Sequence, residues 1–141
     1  MRAMSRDEAW AFLAHGTRTA KLATTRADGA PDVVPVWFVV DGDEIVFTCA
    51  SSSVKARNLA RDPRAALAVD DETFPHAFVT VRGTVQTAVR PDDLLAWLTR
   101  IAERYVGPER AVEYGERNEG IDDCLVRLTP DRILERAEVV A

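Results

Sequence analysis

The run Ser51-Ser52-Ser53-Val54-Lys55-Ala56-Arg57-Asn58 gathers three hydroxyls, two cations and one amide in a single short stretch. Hydroxyls placed where a strand ends and a helix starts lie beside backbone N–H groups that have no partner inside the helix. The helix dipole adds partial positive charge there. Lys55 and Arg57 add full charges, and Arg57 offers a planar fork. Such a set of donors suits a phosphate or a carboxylate. The same residues also suit an ordinary serine N-cap followed by a solvated basic face, and the motif alone does not choose between the two.

A second stretch, Val34-Pro35-Val36-Trp37-Phe38, is a strand interrupted by a proline. Proline cannot donate to a sheet ladder, so Pro35 marks a sheet edge or a bulge. Backbone groups freed at that point, next to the Trp37 ring, could face a planar ligand. Taken alone, the stretch reads better as core, with Trp37 and Phe38 buried on opposite sides of the strand. No side chain stands out as a general base. His76 falls in a polar loop and reads as solvated, so no catalytic residue is assigned.

Around these stretches the chain alternates strand and turn signals. Ser5 and Glu8 have capping-box spacing, and a short amphipathic helix follows over residues 6–14. Strands are predicted over residues 20–25, 33–40, 44–49 and 65–69, the last buried on both sides. Turns fall at Ala27-Asp28-Gly29 and Asp41-Gly42-Asp43, and Asp70 to His76 reads as a polar loop. Residues 54–61 read as a helix stopped by Pro63. Two further strand runs, 78–82 and 84–89, flank Gly83, which reads as a bulge or sharp bend. Pro91 opens the strongest helix, whose stripe runs from Leu94 through Leu98 and Ile101 to Tyr105 and ends near Gly107-Pro108. Residues 109–118 give another helical turn or two. A strand over 124–128, a turn at Thr129-Pro130-Asp131 and a last short strand from Ile133 complete the chain. The sum is a mainly β domain, an antiparallel barrel of six to seven strands with flanking helices, in one unit spanning residues 1–141.

Composition narrows the function. The net charge is −5, so no global field favours a nucleic-acid backbone, and any bound anion must be held by a local cluster of donors. Cys49 and Cys124 both fall in apolar strand runs and read as reduced core residues of a cytoplasmic protein. The N-terminus lacks the apolar segment of a secretory signal, and no stretch approaches a membrane span. His15 and His76 are far apart, and no Cys/His cluster has zinc-site spacing, so no metal is expected.

The order and spacing of several runs carry a resemblance. They are Leu22-Ala23-Thr24, Asp28-Gly29, Val33 to Phe38, Lys55-Ala56-Arg57-Asn58-Leu59, Asp62-Pro63-Arg64, Val81-Arg82-Gly83-Thr84-Val85, and Val126 to Ile133. Over most of its length the chain resembles the pyridoxamine 5′-phosphate oxidase-like flavoprotein superfamily. Within it, the chain is similar to the deazaflavin (coenzyme F420)-dependent oxidoreductases of split β-barrel fold. The resemblance implies a homodimer with two cofactor sites at the subunit interface, and coenzyme F420 or, alternatively, FMN as the cofactor. It implies that Lys55, Arg57 and Asn58 contact the cofactor's phosphate and acidic tail. The strand end from Thr48 to Ser53, with Ser51, Ser52 and Ser53, would line the phosphate side. Val34, Pro35, Val36 and Trp37 would face the ring, and the region of His76 and Phe78 would be contributed by the partner subunit.

The implied activity is hydride transfer between the deazaflavin and an unsaturated small molecule. An FMN-binding oxidoreductase or flavin reductase, and a cofactor carrier without turnover, stand as alternatives. The chain departs from true pyridoxamine 5′-phosphate oxidases at its C-terminus, which reads Glu135-Arg136-Ala137-Glu138-Val139-Val140-Ala141 in place of their Arg-Leu-Ala-Pro ending. Pyridoxamine oxidation itself is therefore not expected.

Overall fold

The computed structural model describes residues 1–140. Helix α1 (Arg6–Ala14) opens the chain behind a complete capping box, in which the Ser5 hydroxyl accepts from Glu8 N and the Glu8 carboxylate accepts from Ser5 N. Seven antiparallel strands follow: β1 (Ala20–Thr25), β2 (Pro31–Val36), β3 (Val39–Asp41), β4 (Glu44–Cys49), β5 (Arg64–Asp71), β6 (Ala77–Val89) and β7 (Cys124–Arg136). Helix α2 (Val54–Arg61) lies between β4 and β5, and α3 (Leu94–Val106) and α4 (Pro108–Glu119) lie between β6 and β7. The strand order is β2-β1-β5-β6-β7-β4-β3. The sheet curls into a split barrel whose two edges, β2 and β3, are consecutive in the chain and joined only by Trp37 and Phe38.

The sequence reads β6 and β7 as two broken pairs of short strands, but each is one strand of 13 residues. Their ladder runs from Phe78↔Arg136 to Val89↔Cys124, with a register shift between Arg82 and Gly83. Gly83 lies opposite Pro130, so the residues expected to turn the chain instead form the far side of a bulge. The extra residue changes the phase of β7: Val126 and Leu128 point into the core before it, and Ile133 does so after it. A Cβ on Gly83 would be driven into the carbonyl oxygen of Thr129.

Two apolar clusters result. The barrel interior holds Leu22, Phe38, Ile45, Phe47, Leu67, Val79, Val126 and Leu128 with α1. The other side of β4 and β7 presents Val46 and Leu125 to Leu94, Leu98 and Ile101 of α3. Strand β4 is therefore buried on both faces, which explains its continuous apolar run Ile45-Val46-Phe47. Strand β5 departs from the expectation of burial on both sides. Ala65, Leu67 and Val69 face the core, whereas Ala66 and Ala68 are only partly buried on the outer face. Helix α3 begins at Leu94 rather than Pro91, and residues 91–93 form a preceding turn closed by Leu94 N donating to Pro91 O at 3.1 Å. The loop before β6 is shorter than expected, because Asp70 and Asp71 extend β5. Cys49 and Cys124 are buried free thiols, and burial pushes the Cys49 thiol up to about 11. Among the described residues, no helix is long and apolar enough to cross a membrane.

The bulge gives a direct test of the ladder. Gly83→Ala is expected to destabilise the fold by about 1–3 kcal/mol, as over-packing against backbone does. A melt monitored by circular dichroism checks it. An unchanged melting temperature would show that the β6–β7 contact relaxes freely at this point.

Candidate functional site

The barrel's split faces α3, and a cavity of about 280 Å³ opens between them. Pro35, Val36 and Trp37 line it from the end of β2, Thr48 from β4 and Lys55 from α2. Leu98, Ile101 and Ala102 of α3 form an apolar wall, and Asn118 and Asp122 close the far side. Five of the residues singled out in the sequence thus meet at one place although they come from three separate elements.

Trp37 is not core. Its side chain is 37% exposed and its ring stacks on Tyr105, with centroids 4.8 Å apart and planes 9° from parallel. Phe38, its neighbour, is fully buried as expected. Pro35 lies on β2, a sheet edge, paired only with Lys21 of β1, so its missing N–H costs no ladder bond. Thr48 donates its hydroxyl to Asp122 at 3.1 Å.

The serine turn leads into α2 with part of its donor set already used. Ser53 is the N-cap: its hydroxyl accepts from Ala56 N at 3.2 Å and donates to Ala50 O at 2.6 Å. Ser51 donates both its N–H and its hydroxyl to Asp123, at 2.7 and 2.8 Å. Those two bonds hold the Asp123 carboxyl below its ordinary range, with Arg90 adding a weaker pull. Ser52 is exposed and its hydroxyl has no partner among the described residues. Neither Lys55 nor Arg57 has an acidic partner among the described residues, so both cations are available to an anion. Lys55 is half-buried in the cavity wall, whereas Arg57, two residues on along α2, is exposed and does not line the cavity.

Other residues singled out in the sequence go elsewhere. Val34 packs partly buried against the barrel core. Asn58 is buried, and its side-chain amide donates to the Thr24 hydroxyl and to Asp32, both at 3.0 Å. That bond, with help from Arg26, holds Asp32 below its usual carboxylate range. Asn58 therefore fastens α2 to the β1–β2 hairpin and leaves its amide unavailable to a ligand. His76 and Phe78 lie at the opposite end of β6 from Val89, which pairs with Cys124 beside the serine turn. Eleven residue steps along the strand separate Phe78 from Val89, roughly 36 Å of chain. His76 has a positive φ of 69°, and its Nδ1 is buried without a hydrogen-bond partner among the described residues. Neither residue lines the cavity of its own chain.

The contributions of α3 and α4 were not visible as site residues in the sequence. An apolar stripe says that a helix is buried, but not against what. Tyr105 in particular reads only as one more member of that stripe.

A family model described as pyridoxamine 5′-phosphate oxidase matches residues 6–137. No curated protein matches the chain. Among solved structures, a conserved hypothetical protein from Mycobacterium tuberculosis is 28% identical, with a TM-score of 0.81 over 96% of this chain and 86% of that one. An F420 reductase is 28% identical, with a TM-score of 0.65 over 84% of this chain and 90% of that one. An FAD-binding protein from Mycobacterium smegmatis, 20% identical with a TM-score of 0.66 over 96% and 97%, shares the fold. The match along nearly the whole chain and the split barrel agree: this chain belongs to the pyridoxamine 5′-phosphate oxidase-like family of flavin-binding proteins.

Proposed function

We propose that the chain is a coenzyme F420-dependent reductase that passes a hydride to an unsaturated small molecule, and that it works as a homodimer. The observation that carries this reading is the single cavity in which an exposed indole, Trp37, and an unpaired cation, Lys55, come together beside the start of α2. Similarity to an F420 reductase supports it.

The residues fit a ring-bearing anionic cofactor. A volume of about 280 Å³ is near the lower end for ligand pockets, enough for a ring system but not for a whole cofactor with its tail. The anionic part would then lie outside the cavity, and Ser52 and Arg57, both exposed, carry unused donors on the serine turn and on α2. Two unpaired cations suit a phosphate followed by an acidic tail better than they suit one phosphate alone.

When bound, the deazaflavin supplies the hydride chemistry. The chain's own residues bind and orient. Lys55 and Arg57 balance negative charge, Trp37 offers a flat apolar surface, and Leu98, Ile101 and Ala102 keep water from one side of the cavity. Thr48 donates to Asp122, and this bond joins two residues of the cavity lining.

The homodimer rests on a different surface. Across β2-β1-β5-β6-β7 the outer face reads Val33, Ala23, Ala66, Arg82 and Arg132 in one row, and Pro35, Lys21, Ala68, Thr80 and Leu134 in the next. The alanines at its centre let another backbone approach closely. Val33 is 70% exposed at one end of this face. Only a second copy could bring His76 and Phe78 to the cavity.

Two outcomes test the reading. Replacing both Lys55 and Arg57 with Ala is expected to weaken deazaflavin binding at least about tenfold while leaving the melting temperature unchanged, since hydrogen bonds to charged groups are each worth about 1.5–3 kcal/mol. Tryptophan-fluorescence titration with coenzyme F420 and with FMN measures it, and tighter FMN binding would move the protein to the flavin-using alternative. Ala66→Arg is expected to convert a dimer to a monomer in size-exclusion chromatography with light scattering and to reduce cofactor affinity with it. A wild-type monomer with full affinity would contradict the shared site.

A further inference from the structure

The split of the barrel leaves a problem that α3 solves. Because β2 and β3 are the two sheet edges, residues 37 and 38 belong to no ladder, and their backbone groups need other partners. The N–H of Phe38 donates to the Tyr105 hydroxyl at 3.2 Å, and the Phe38 carbonyl accepts from the Arg104 guanidinium at 2.7 Å. The Tyr105 hydroxyl in turn donates to Arg18 O at 2.9 Å. Arg104 also donates to Leu13 O at 2.7 Å and Gly16 O at 2.9 Å, and its guanidinium lies 4.4 Å from the centre of the Phe38 ring. The last turn of α3 thus bolts the split shut and ties it to the end of α1.

The same tyrosine sets the direction of Trp37. Its ring lies parallel to the indole at 4.8 Å, so one face of Trp37 is covered by Tyr105 while the side chain still lines the cavity. We infer that Tyr105 is a positioning residue for the cavity. Its hydroxyl fixes the backbone at Phe38, its ring fixes the indole of Trp37, and it acts on a bound planar ring only through Trp37. This extends the reading of the cavity as a cofactor site and rests on it, but the orientation of Trp37 can be read without any ligand.

The test uses Tyr105→Phe and Tyr105→Leu, each in the full chain and in a background where Trp10 and Trp97 are replaced by Phe, so that emission reports Trp37 alone. Tyr105→Leu is expected to lose the near-ultraviolet dichroism of the stacked pair, to shift Trp37 emission to the red, and to weaken coenzyme F420 binding about tenfold, the scale of an aromatic pair. Tyr105→Phe keeps the stack and is expected to rescue the dichroism and most of the affinity. Should the leucine variant fail to fold, the phenylalanine variant still decides: loss of Trp37 dichroism there would overturn the role assigned to the ring. Unchanged Trp37 emission and affinity in a folded leucine variant would overturn the inference outright. If the wild type bound neither coenzyme F420 nor FMN, the proposed function would fall, while the dichroism would still show whether Tyr105 orients Trp37.

Discussion

The ladder between β6 and β7 is the constraint on which the other elements depend. One half of β6, Ala77–Thr84, pairs with β5 and through it with β1 and β2. The other half lies against the part of β7 that pairs with β4, so the β4–β3 hairpin hangs from that end. The two half-sheets are offset along this pair and meet at the bulge beside Gly83. Right-handed twist, sharpened locally by a bulge, turns an offset sheet of this kind into a barrel that curls without closing. The open side then falls between β2 and β3, and the cavity is there because the sheet does not close.

Once the split exists, its chemistry follows from what covers it. Helix α3 packs Leu98 and Ile101 on Val46 and Leu125 and so brings its last turn to the gap. There Arg104 donates to carbonyls of α1, of the following turn and of Phe38, with no carboxylate partner among the described residues. Burial lowers its affinity for the proton, and the carbonyl oxygens compensate for lost water. Gly115 lets α4 come close to Thr99 of α3, so the two helices pack tightly together. The wall formed by Leu98, Ile101 and Ala102 therefore belongs to a helix packed on α4 as well as on the barrel.

Much of the fold was legible. The capping box at Ser5 and Glu8, the two Gly turns, the edge position of Pro35 and the stop after α2 are local signals, and local chemistry decided them. Gly83 reads correctly as a bulge, whereas the turn predicted at Thr129-Pro130-Asp131 does not form although the run has turn composition. What the sequence could not show is that the two runs lie opposite each other, so that the apparent turn becomes the far side of the bulge and both strands continue. The burial of β5 was overstated for a related reason. Ala66 and Ala68 are apolar, but nothing within a strand's own sequence says which face another element will cover. The site divides in the same way. Lys55, Thr48 and Trp37 lie near recognisable strand ends and turns, whereas the use of Asn58 depends on Asp32 and Thr24, 26 and 34 residues away.

The distribution of charge explains why so few donors can define a site here. In a chain with net charge −5, most arginines close to the surface find a carboxylate, as Arg26 finds Asp32 and Arg127 finds Asp41 and Glu44. An acid placed near the serine turn would have neutralised it as well. Asp123 is there, but Ser51 holds its carboxylate with two short bonds and keeps it in place below Cys124. Asp122, next in line, accepts from Thr48 across the cavity wall. With both acids engaged by hydroxyls, Lys55 and Arg57 stay unpaired at the start of α2, where the helix dipole adds to their field. Ser51 and Thr48 thus fix where the two local carboxylates sit, and Lys55 and Arg57 are left without a carboxylate partner among the described residues.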